Sequence, residues 1–295
     1  MTKLSDHHSN TLVKLLLIGD AKSGKTGSLV SLVKAGYKLR ILDMDNLLDI
    51  LKYLCERECP DSINNVEYRT LRDKRRATSQ GMVLDGAPKA FVDAVKMLDS
   101  WCYTDLDGSV VDLGHPCDWG PDSILVIDSL SRLCDAAYDW RETLAPRGRS
   151  GEYDGRAVYG DAQDAIESLL AGLTSRTFKT NVIVIAHVQY LDLPDGGRKG
   201  FPQGVGQKLS PKIPQYFPSV VHYSNKNGKR VIKTTSTPLI DLANPAPHLI
   251  DAEYPMETGL ATFFKALRSR PTEPEEEAPP QTPPKKITTI STRRG

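Results

Sequence analysis

The chain has 295 residues, of which 39% are hydrophobic and 25% are charged. This composition excludes collagen-like, disulfide-scaffold and wholly disordered proteins, and it leaves room for one domain with an appendage or for two small domains. The formal net charge is only +1, so any nucleic-acid contact must come from a local basic patch. The longest apolar run, residues 12–18, is too short to span a bilayer, and the N-terminus lacks the apolar core of a signal peptide. We therefore expect a cytoplasmic protein with no membrane partner.

Short apolar runs rich in β-formers alternate along the chain with longer helical stretches. The predicted strands are residues 13–18, 38–43, 124–128, 182–186, 219–223 and 230–234. The predicted helices are residues 25–35, 47–55, 89–100, a short helix after residue 128, and residues 162–175. This alternation predicts an α/β fold with a mainly parallel sheet flanked by helices. Residues 140–158 and 191–217 fit neither pattern, and long irregular segments in a compact domain are often functional loops.

The first predicted strand is followed directly by a phosphate-binding motif. Residues 19–26 read GDAKSGKT and match GxxxxGK[ST] at every fixed position, with a helical run after them. Glycines let the backbone wrap a polyphosphate, and the amides then point inward at a helix N-terminus. Lys25 is expected to reach the β and γ phosphates, and Thr26 is expected to hold Mg²⁺ through its hydroxyl. The predicted nucleotide-binding residues are Gly19, Asp20, Ala21, Lys22, Ser23, Gly24, Lys25, Thr26 and Gly27. The expected cofactors are therefore ATP and Mg²⁺.

A nucleotide site of this kind needs a second magnesium ligand at the C-terminal end of a neighbouring strand. Residues 123–128 read SILVID, a continuous apolar run that is typical of a strand buried on both faces and that ends in Asp128. We predict Thr26 and Asp128 as the metal ligands. Asp128 can also cap the helix that follows, and the two roles are compatible.

The segment ILVIDSLSRL resembles the corresponding segment of RecA-like P-loop ATPases. Over residues 13–245 the chain is similar to the compact phage branch of that family, which is associated with single-strand annealing and recombination. The resemblance implies a flexible N-terminus over residues 1–12 and a RecA-like ATPase domain over residues 13–267.

The resemblance also implies the catalytic groups. In this family a carboxylate at the tip of the strand after the phosphate loop orients the attacking water, and Asp45 lies there where the family usually has glutamate. Asp43 remains the alternative. A γ-phosphate sensor is expected at the end of NVIVIAHVQ, where His187 fits and Gln189 is the alternative. The predicted catalytic residues are Lys25, Asp45, Asp128 and His187.

RecA-like proteins bind single-stranded DNA through two loops. One follows the segment that contains Asp128, and the other follows the strand that contains His187. The corresponding stretches here are rich in glycine, which is expected to keep them mobile, and in cations; an aromatic ring can stack on a base. The predicted nucleic-acid-binding residues are Arg147, Arg149, Arg198, Lys199, Phe201 and Lys208. Polar loops unrelated to DNA are the alternative, because charge runs are often only solvated.

A second set of cations lies near the last two predicted strands. It consists of Lys226, Lys229, Arg230 and Lys233. The resemblance implies a homo-oligomer in which one such cation reaches the γ phosphate of a neighbouring subunit. A simple basic hairpin is the alternative, and the sequence does not choose among the four.

Residues 268–295 contain the run EPEEEAPPQTPPKK and few aliphatic side chains, so we predict a disordered tail. Its basic end, KKITTISTRRG, is either a docking peptide for a single-strand-binding or replication protein or only a solubilising tail. Five cysteines in a chain without a secretion signal are expected to be reduced thiols. A zinc site made by Cys55, Cys59, His115 and Cys117 is a weaker alternative, because the spacing is wide for structural zinc.

Together these features predict an ATPase that binds single-stranded DNA and promotes annealing or strand exchange in phage-type recombination or replication, in the cytoplasm of a bacterial host. Hydrolysis is expected to be slow and stimulated by DNA. Two alternatives stay open: a hexameric helicase or motor ATPase, and a nucleotide-gated protein-interaction module.

Overall fold

The computed structural model describes residues 11–79, 81–105, 107–149, 151–194, 196–226 and 228–269. The strands are β1 (Lys14–Gly19), β2 (Lys38–Asp43), β3 (Val66–Thr70), β4 (Arg75–Thr78), β5 (Gly81–Leu84), β6 (Cys102–Thr104), β7 (Val110–Asp112), β8 (Gly120–Asp128), β9 (Thr180–Asp192), β10 (Arg198–Pro202), β11 (Ser219–Lys226), β12 (Lys229–Lys233) and β13 (Glu253–Pro255). The helices are α1 (Lys25–Ser28), α2 (Val30–Lys34), α3 (Asp49–Glu58), α4 (Ala90–Asp99), α5 (Leu130–Leu144), α6 (Gly155–Thr174), α7 (Gly206–Leu209) and α8 (Met256–Arg268). Short 3-10 turns cover Pro60–Asn65, Pro116–Asp118 and Ile213–Tyr216.

The central sheet has the strand order β13-β12-β11-β1-β9-β8-β2-β3, and β10 pairs with the outer half of β9. The six strands from β11 to β3 run parallel to one another. β12, β13 and β10 pair antiparallel with their neighbours. The middle strands are continuous runs of Leu, Ile and Val, which suit a sheet covered on both faces. Their carboxyl ends meet at one edge, where α/β sheets bind ligands.

Two hydrophobic clusters lie on the two faces of the sheet. On one face the apolar sides of α4, α5 and α6 cover the sheet, with Phe91, Leu133 and Ile166 among the buried side chains. On the other face α2, α3 and α8 contribute, with Phe263 and Phe264 fully buried. The predicted α/β architecture, a mainly parallel sheet flanked by helices, is confirmed.

Several predicted elements were wrong in detail. The stretch 191–217 is not an irregular loop, because it contains β10, α7 and a 3-10 turn. Within 140–158 the irregular part is only residues 145–154, since α5 continues to Leu144 and α6 begins at Gly155. The hairpins β4–β5 and β6–β7 and the helix α8 were missed. The predicted tail, residues 268–295, lies outside the described residues except for Arg268 and Ser269, and Arg268 is the last residue of α8.

Across the part of the chain that the structure describes, no helix combines the length and apolar character needed to cross a membrane. In the same residues no three or more His, Cys, Asp or Glu side chains gather as a metal-holding group. The four side chains of the zinc alternative therefore do not form a site, and the cysteines are free thiols. Burial raises the pKa of the Cys55 thiol to about 12, which keeps it protonated.

Candidate nucleotide site

Parallel register brings the predicted site residues to the same edge of the sheet. Gly19 at the end of β1 is the register partner of His187 in β9. Asp43 at the end of β2 is the partner of Asp128 at the end of β8. The phosphate loop, both aspartate-bearing strand ends and the histidine strand therefore surround one position.

The lysine of the phosphate loop is buried. Lys25 is 5% exposed, and its Nζ donates hydrogen bonds to the carbonyl oxygens of Gly19 at 2.9 Å and Asp20 at 2.7 Å. Burial lowers the pKa of Lys25, and the nearby carboxylates of Asp128, Asp20 and Asp45 oppose that shift. Gly24 has φ +107°, a conformation that other residues adopt only with strain, so the second motif glycine is required by the loop geometry. The ammonium lies where an anion would balance its charge.

The two predicted metal ligands are in contact. The Thr26 hydroxyl donates a hydrogen bond of 2.6 Å to Oδ2 of Asp128, whose side chain is buried. Burial raises the pKa of the Asp128 carboxyl to about 6; the Asp45 and Asp43 carboxylates add to this shift, and the Thr26 hydroxyl and the Lys25 ammonium oppose it. A hydroxyl and a carboxylate beside a phosphate loop are the oxygen ligands that Mg²⁺ takes together with nucleotide phosphates and waters. The residues present therefore fit Mg²⁺.

Asp43 and Asp45 have different surroundings. The carboxylate of Asp43 accepts hydrogen bonds from the Thr70 hydroxyl at 2.9 Å and from the Asn46 amide at 2.7 Å, so β3 and the following turn fix it. Asp45 instead lies 3.7 Å from Nε2 of His187 and 3.5 Å from Nε of Arg132. Asp45 is thus the aspartate that lies beside the histidine.

The pKa values of Asp43 and Asp45 are shifted in opposite directions. Burial raises the pKa of Asp43, and its hydrogen bonds only partly offset that effect. Burial alone would also raise the pKa of Asp45, but the neighbouring His187, Ser129 and Arg132 side chains outweigh it and hold that pKa below its usual range. Asp45 is therefore charged at neutral pH and suited to orient a water molecule.

His187 lies in the middle of the long strand β9. Its amide donates to the Ser131 hydroxyl at 3.0 Å, and its carbonyl accepts from the amide of Gln203 at 2.8 Å. Its ring atom Nδ1 is buried and has no hydrogen-bond partner within the described residues. These hydrogen bonds fix the backbone at His187, and the polar partner of its ring among the described residues is Asp45. Gln189, the alternative sensor, donates to the Ser210 hydroxyl and supports the next turn of the chain.

The predicted DNA residues after the histidine lie on and beyond a rigid hairpin. β10 pairs with β9 from Arg198 opposite Asp192 to Pro202 opposite Val188. Arg198 is exposed, with its guanidinium 5.3 Å from the centre of the Tyr190 ring. Lys199 forms an ion pair with Asp241, and Phe201 is half-buried. Lys208 is exposed on α7.

The other predicted DNA residues lie in residues 145–154, which connect α5 to α6. Arg147 donates to the carbonyl of Gly151 at 3.2 Å and lies over the Tyr153 ring, whereas Arg149 is exposed. Neither arginine is tied to the β9–β10 hairpin by a hydrogen bond or ion pair among the residues that the structure describes.

Two arginines adjoin the site in a way that the sequence did not predict: Arg132 was not singled out, and Arg230 was named only as one of four candidate cations for a neighbouring subunit. Arg132 lies in the first turn of α5 and pairs with Asp45, and Arg230 lies against Gly24 of the phosphate loop. The segment ILVIDSLSRL contains Arg132 four residues after Asp128, a spacing that places it near the start of the helix that follows the strand. No local pattern could have placed Arg230 against a loop that lies so far back in the sequence.

The chain is similar to known proteins in its sequence family and in its fold. A family model described as AAA domain matches residues 11–244. No curated protein matches. Among solved structures, the crystal structure of the RadB recombinase aligns over 78% of this chain and 83% of that chain, with 16% identity and a TM-score of 0.38. A match at that level says nothing about activity or partners, whereas the family match supports the predicted P-loop ATPase class.

Proposed function

Because this chain belongs to the AAA domain family and carries a complete phosphate loop, we propose that it is an ATPase that binds single-stranded DNA in a nucleotide-dependent manner and promotes annealing or strand exchange in phage-type recombination or replication. In this proposal the protein works as a homo-oligomer on DNA.

The observation that carries the proposal is the continuity of β9. One strand of 13 residues contains the candidate phosphate sensor, His187, and continues into the hairpin that presents Arg198. The end of that hairpin returns to the sensor, where the Gln203 amide donates to the carbonyl of His187. A change at the histidine can therefore move the cationic hairpin as a rigid body.

Each predicted catalytic residue has a distinct task. Lys25 binds the β and γ phosphates, and Thr26 and Asp128 hold Mg²⁺, which supplies neutralisation of the phosphate charge when it is bound. Asp45, kept charged by its neighbours, orients the attacking water. His187 stands between that carboxylate and the hairpin, and its Nδ1 is available for a new partner.

Hydrolysis then resets the hairpin in two steps. With the γ phosphate present, the His187 ring turns from Asp45 towards the phosphate. When the phosphate leaves, the contact of the His187 ring with Asp45 reforms and β9–β10 returns to its first position. Because Nδ1 has no partner of its own among the described residues, the ring is free to exchange one neighbour for another.

Charge reversal of the hairpin tests the DNA assignment. Arg198→Glu is expected to weaken binding of a labelled single-stranded oligonucleotide and to reduce the slope of log affinity against log salt by about 0.7 for each phosphate that the protein no longer binds. Lys199→Glu should have a smaller effect because Asp241 already neutralises Lys199. Lys38→Glu, an exposed cation at the start of β2 on the opposite edge of the sheet, is the matched control. Unchanged affinity and salt slope in Arg198→Glu would favour the protein-interaction module.

A further inference from the structure

The outer rim of the phosphate loop contacts the C-terminal part of the same chain. A methyl group on Gly24 would lie 2.7 Å from Sδ of Met256, 3.3 Å from Cδ of Arg230 and 3.6 Å from Nη1 of Arg230. Met256 is the first residue of α8, and Arg230 is the second residue of β12. These two side chains therefore lie directly against the loop.

Arg230 has an uncompensated charge. Its side chain is exposed, and in the part of the chain that the structure describes no carboxylate lies within ion-pair distance of it. Arg268 at the end of α8 differs in this respect, because it pairs with Asp122. A guanidinium at the edge of an anion-binding loop can donate two parallel hydrogen bonds to the oxygens of one phosphate.

Arg230 also has space to move. A cavity of about 540 Å³ lies beside it, between the β11–β12 turn and the start of α8, with Lys229, Met256 and Glu257 in its lining. Because Cδ of Arg230 is already at Gly24, rotation of the terminal bonds alone carries the guanidinium over the loop. No rearrangement of β12 is needed.

We infer that Arg230 binds the phosphates of the nucleoside triphosphate held in the phosphate loop of its own chain, rather than those held by a neighbouring subunit. This inference rests on the proposed function, because it assumes that the loop binds a nucleotide. It replaces the sequence-based hypothesis of a cation donated between subunits, as far as Arg230 is concerned.

Nucleotide binding by dilute protein tests the first part. A fluorescent, non-hydrolysable ATP analogue is titrated into wild type, Arg230→Ala, Arg230→Lys and Lys265→Ala, each checked for an unchanged melting transition. Loss of a charge-assisted hydrogen bond predicts an affinity about 10- to 100-fold weaker for Arg230→Ala. Arg230→Lys keeps the positive charge but loses the paired donors of the guanidinium, so its nucleotide affinity is expected to lie between those of Arg230→Ala and wild type. Lys265→Ala, an exposed cation on α8, should bind as wild type does.

Mixing two defective variants tests whether Arg230 acts within one chain. Arg230→Ala and Lys25→Ala are combined in equal amounts, and ATP hydrolysis is measured. A residue acting on its own loop leaves every chain in the mixture defective, so no activity returns. Recovery of hydrolysis, or wild-type affinity in Arg230→Ala, would overturn the inference. Failure of the wild-type protein to bind the analogue would instead overturn the proposed function.

Discussion

Asp43 at the end of β2 and Asp45 two residues later have different surroundings. Asp43 is bonded to Thr70 and to the backbone of Asn46, and it lines a cavity of about 630 Å³ bordered by α3 and β3. Asp45 faces His187 and Arg132. We propose that Asp43 holds the end of the strand and that Asp45 performs the catalytic step.

Replacing each carboxylate by an amide tests the proposed tasks of Asp43 and Asp45 separately. Asp45→Asn is expected to reduce ATP hydrolysis about 100-fold or more and to leave nucleotide affinity nearly unchanged, because only the activated water is lost. Asp43→Asn should lower thermal stability with a smaller effect on turnover, since two hydrogen bonds to its carboxylate weaken. Steady-state hydrolysis and thermal unfolding of both variants make the comparison. Equal losses of turnover in the two variants would contradict the assignment.

Buried Lys14 makes stability depend on pH. Its Nζ donates to the carbonyls of Phe178 at 2.8 Å and Thr180 at 2.6 Å, and burial lowers its pKa to about 7. The unfolded chain therefore binds more protons than the folded chain between pH 7 and the usual lysine pKa. Stability consequently rises with pH across that window, and the gain is lost as pH falls back to 7.

The effect of Lys14 is measurable against a variant that cannot titrate. Wild type is expected to gain about 2 kcal/mol in free energy of unfolding between pH 7 and pH 9 relative to Lys14→Met. Urea unfolding of both proteins at each pH gives the difference. The same pH dependence in wild type and variant would show that Lys14 keeps an ordinary pKa.

At the scale of elements, the β9–β10 hairpin depends on close packing at one glycine. A Cβ on Gly200 would lie 3.0 Å from side-chain atoms of Ile240, Tyr190 and Val188. This glycine does not confer mobility, as the sequence suggested, but allows β10 to approach its neighbours. The hairpin is consequently a rigid extension of the sheet.

Gly200→Ala tests this packing. The added methyl is expected to cost about 1–3 kcal/mol of stability and to weaken single-strand binding, while nucleotide affinity stays the same, because the loop and Asp128 are untouched. Gly172→Ala in α6, where a Cβ meets nothing within 4 Å, is the matched control and should stabilise by about 0.5–1 kcal/mol. Urea unfolding and oligonucleotide titration report the two effects. A neutral Gly200→Ala variant would mean that the hairpin is loosely packed.

The sequence was most informative where function depends on neighbouring residues in the chain. The phosphate loop and the strand ending at Asp128 are local patterns, and their meeting follows from parallel strands. β10 was missed because Gly200 and Pro202 interrupt its alternation, and it exists through pairing with an extended β9. The choice of Asp45 over Asp43 and the place of Arg230 depend on contacts between distant segments, which no periodicity records.

In the molecule as a whole, α8 supplies the last part of the hydrophobic core among the described residues. The last buried apolar side chain among the described residues is Leu267, and Phe263 and Phe264 pack under the sheet beside α2.

Truncation tests where the structural part ends. A chain ending at Ser269 is expected to melt within about a degree or two of the full chain and to bind nucleotide equally well, because it keeps every buried side chain of α8. A chain ending at Pro255 should fail to fold, since it lacks the buried face of α8. Thermal unfolding and nucleotide titration decide both cases. A large loss of stability from the shorter deletion would show that residues 270–295 belong to the core.

We propose that the state of the γ phosphate is transmitted through His187 to the β9–β10 hairpin and so to its binding of single-stranded DNA. The most direct measurement is fluorescence anisotropy of a labelled single-stranded oligonucleotide titrated with protein at fixed salt, in the presence of a non-hydrolysable ATP analogue, of ADP or of no nucleotide. In wild type we expect an affinity at least about tenfold higher with the ATP analogue than with ADP, and in His187→Ala we expect no such difference. Equal affinity in all three nucleotide states of the wild-type protein would contradict it.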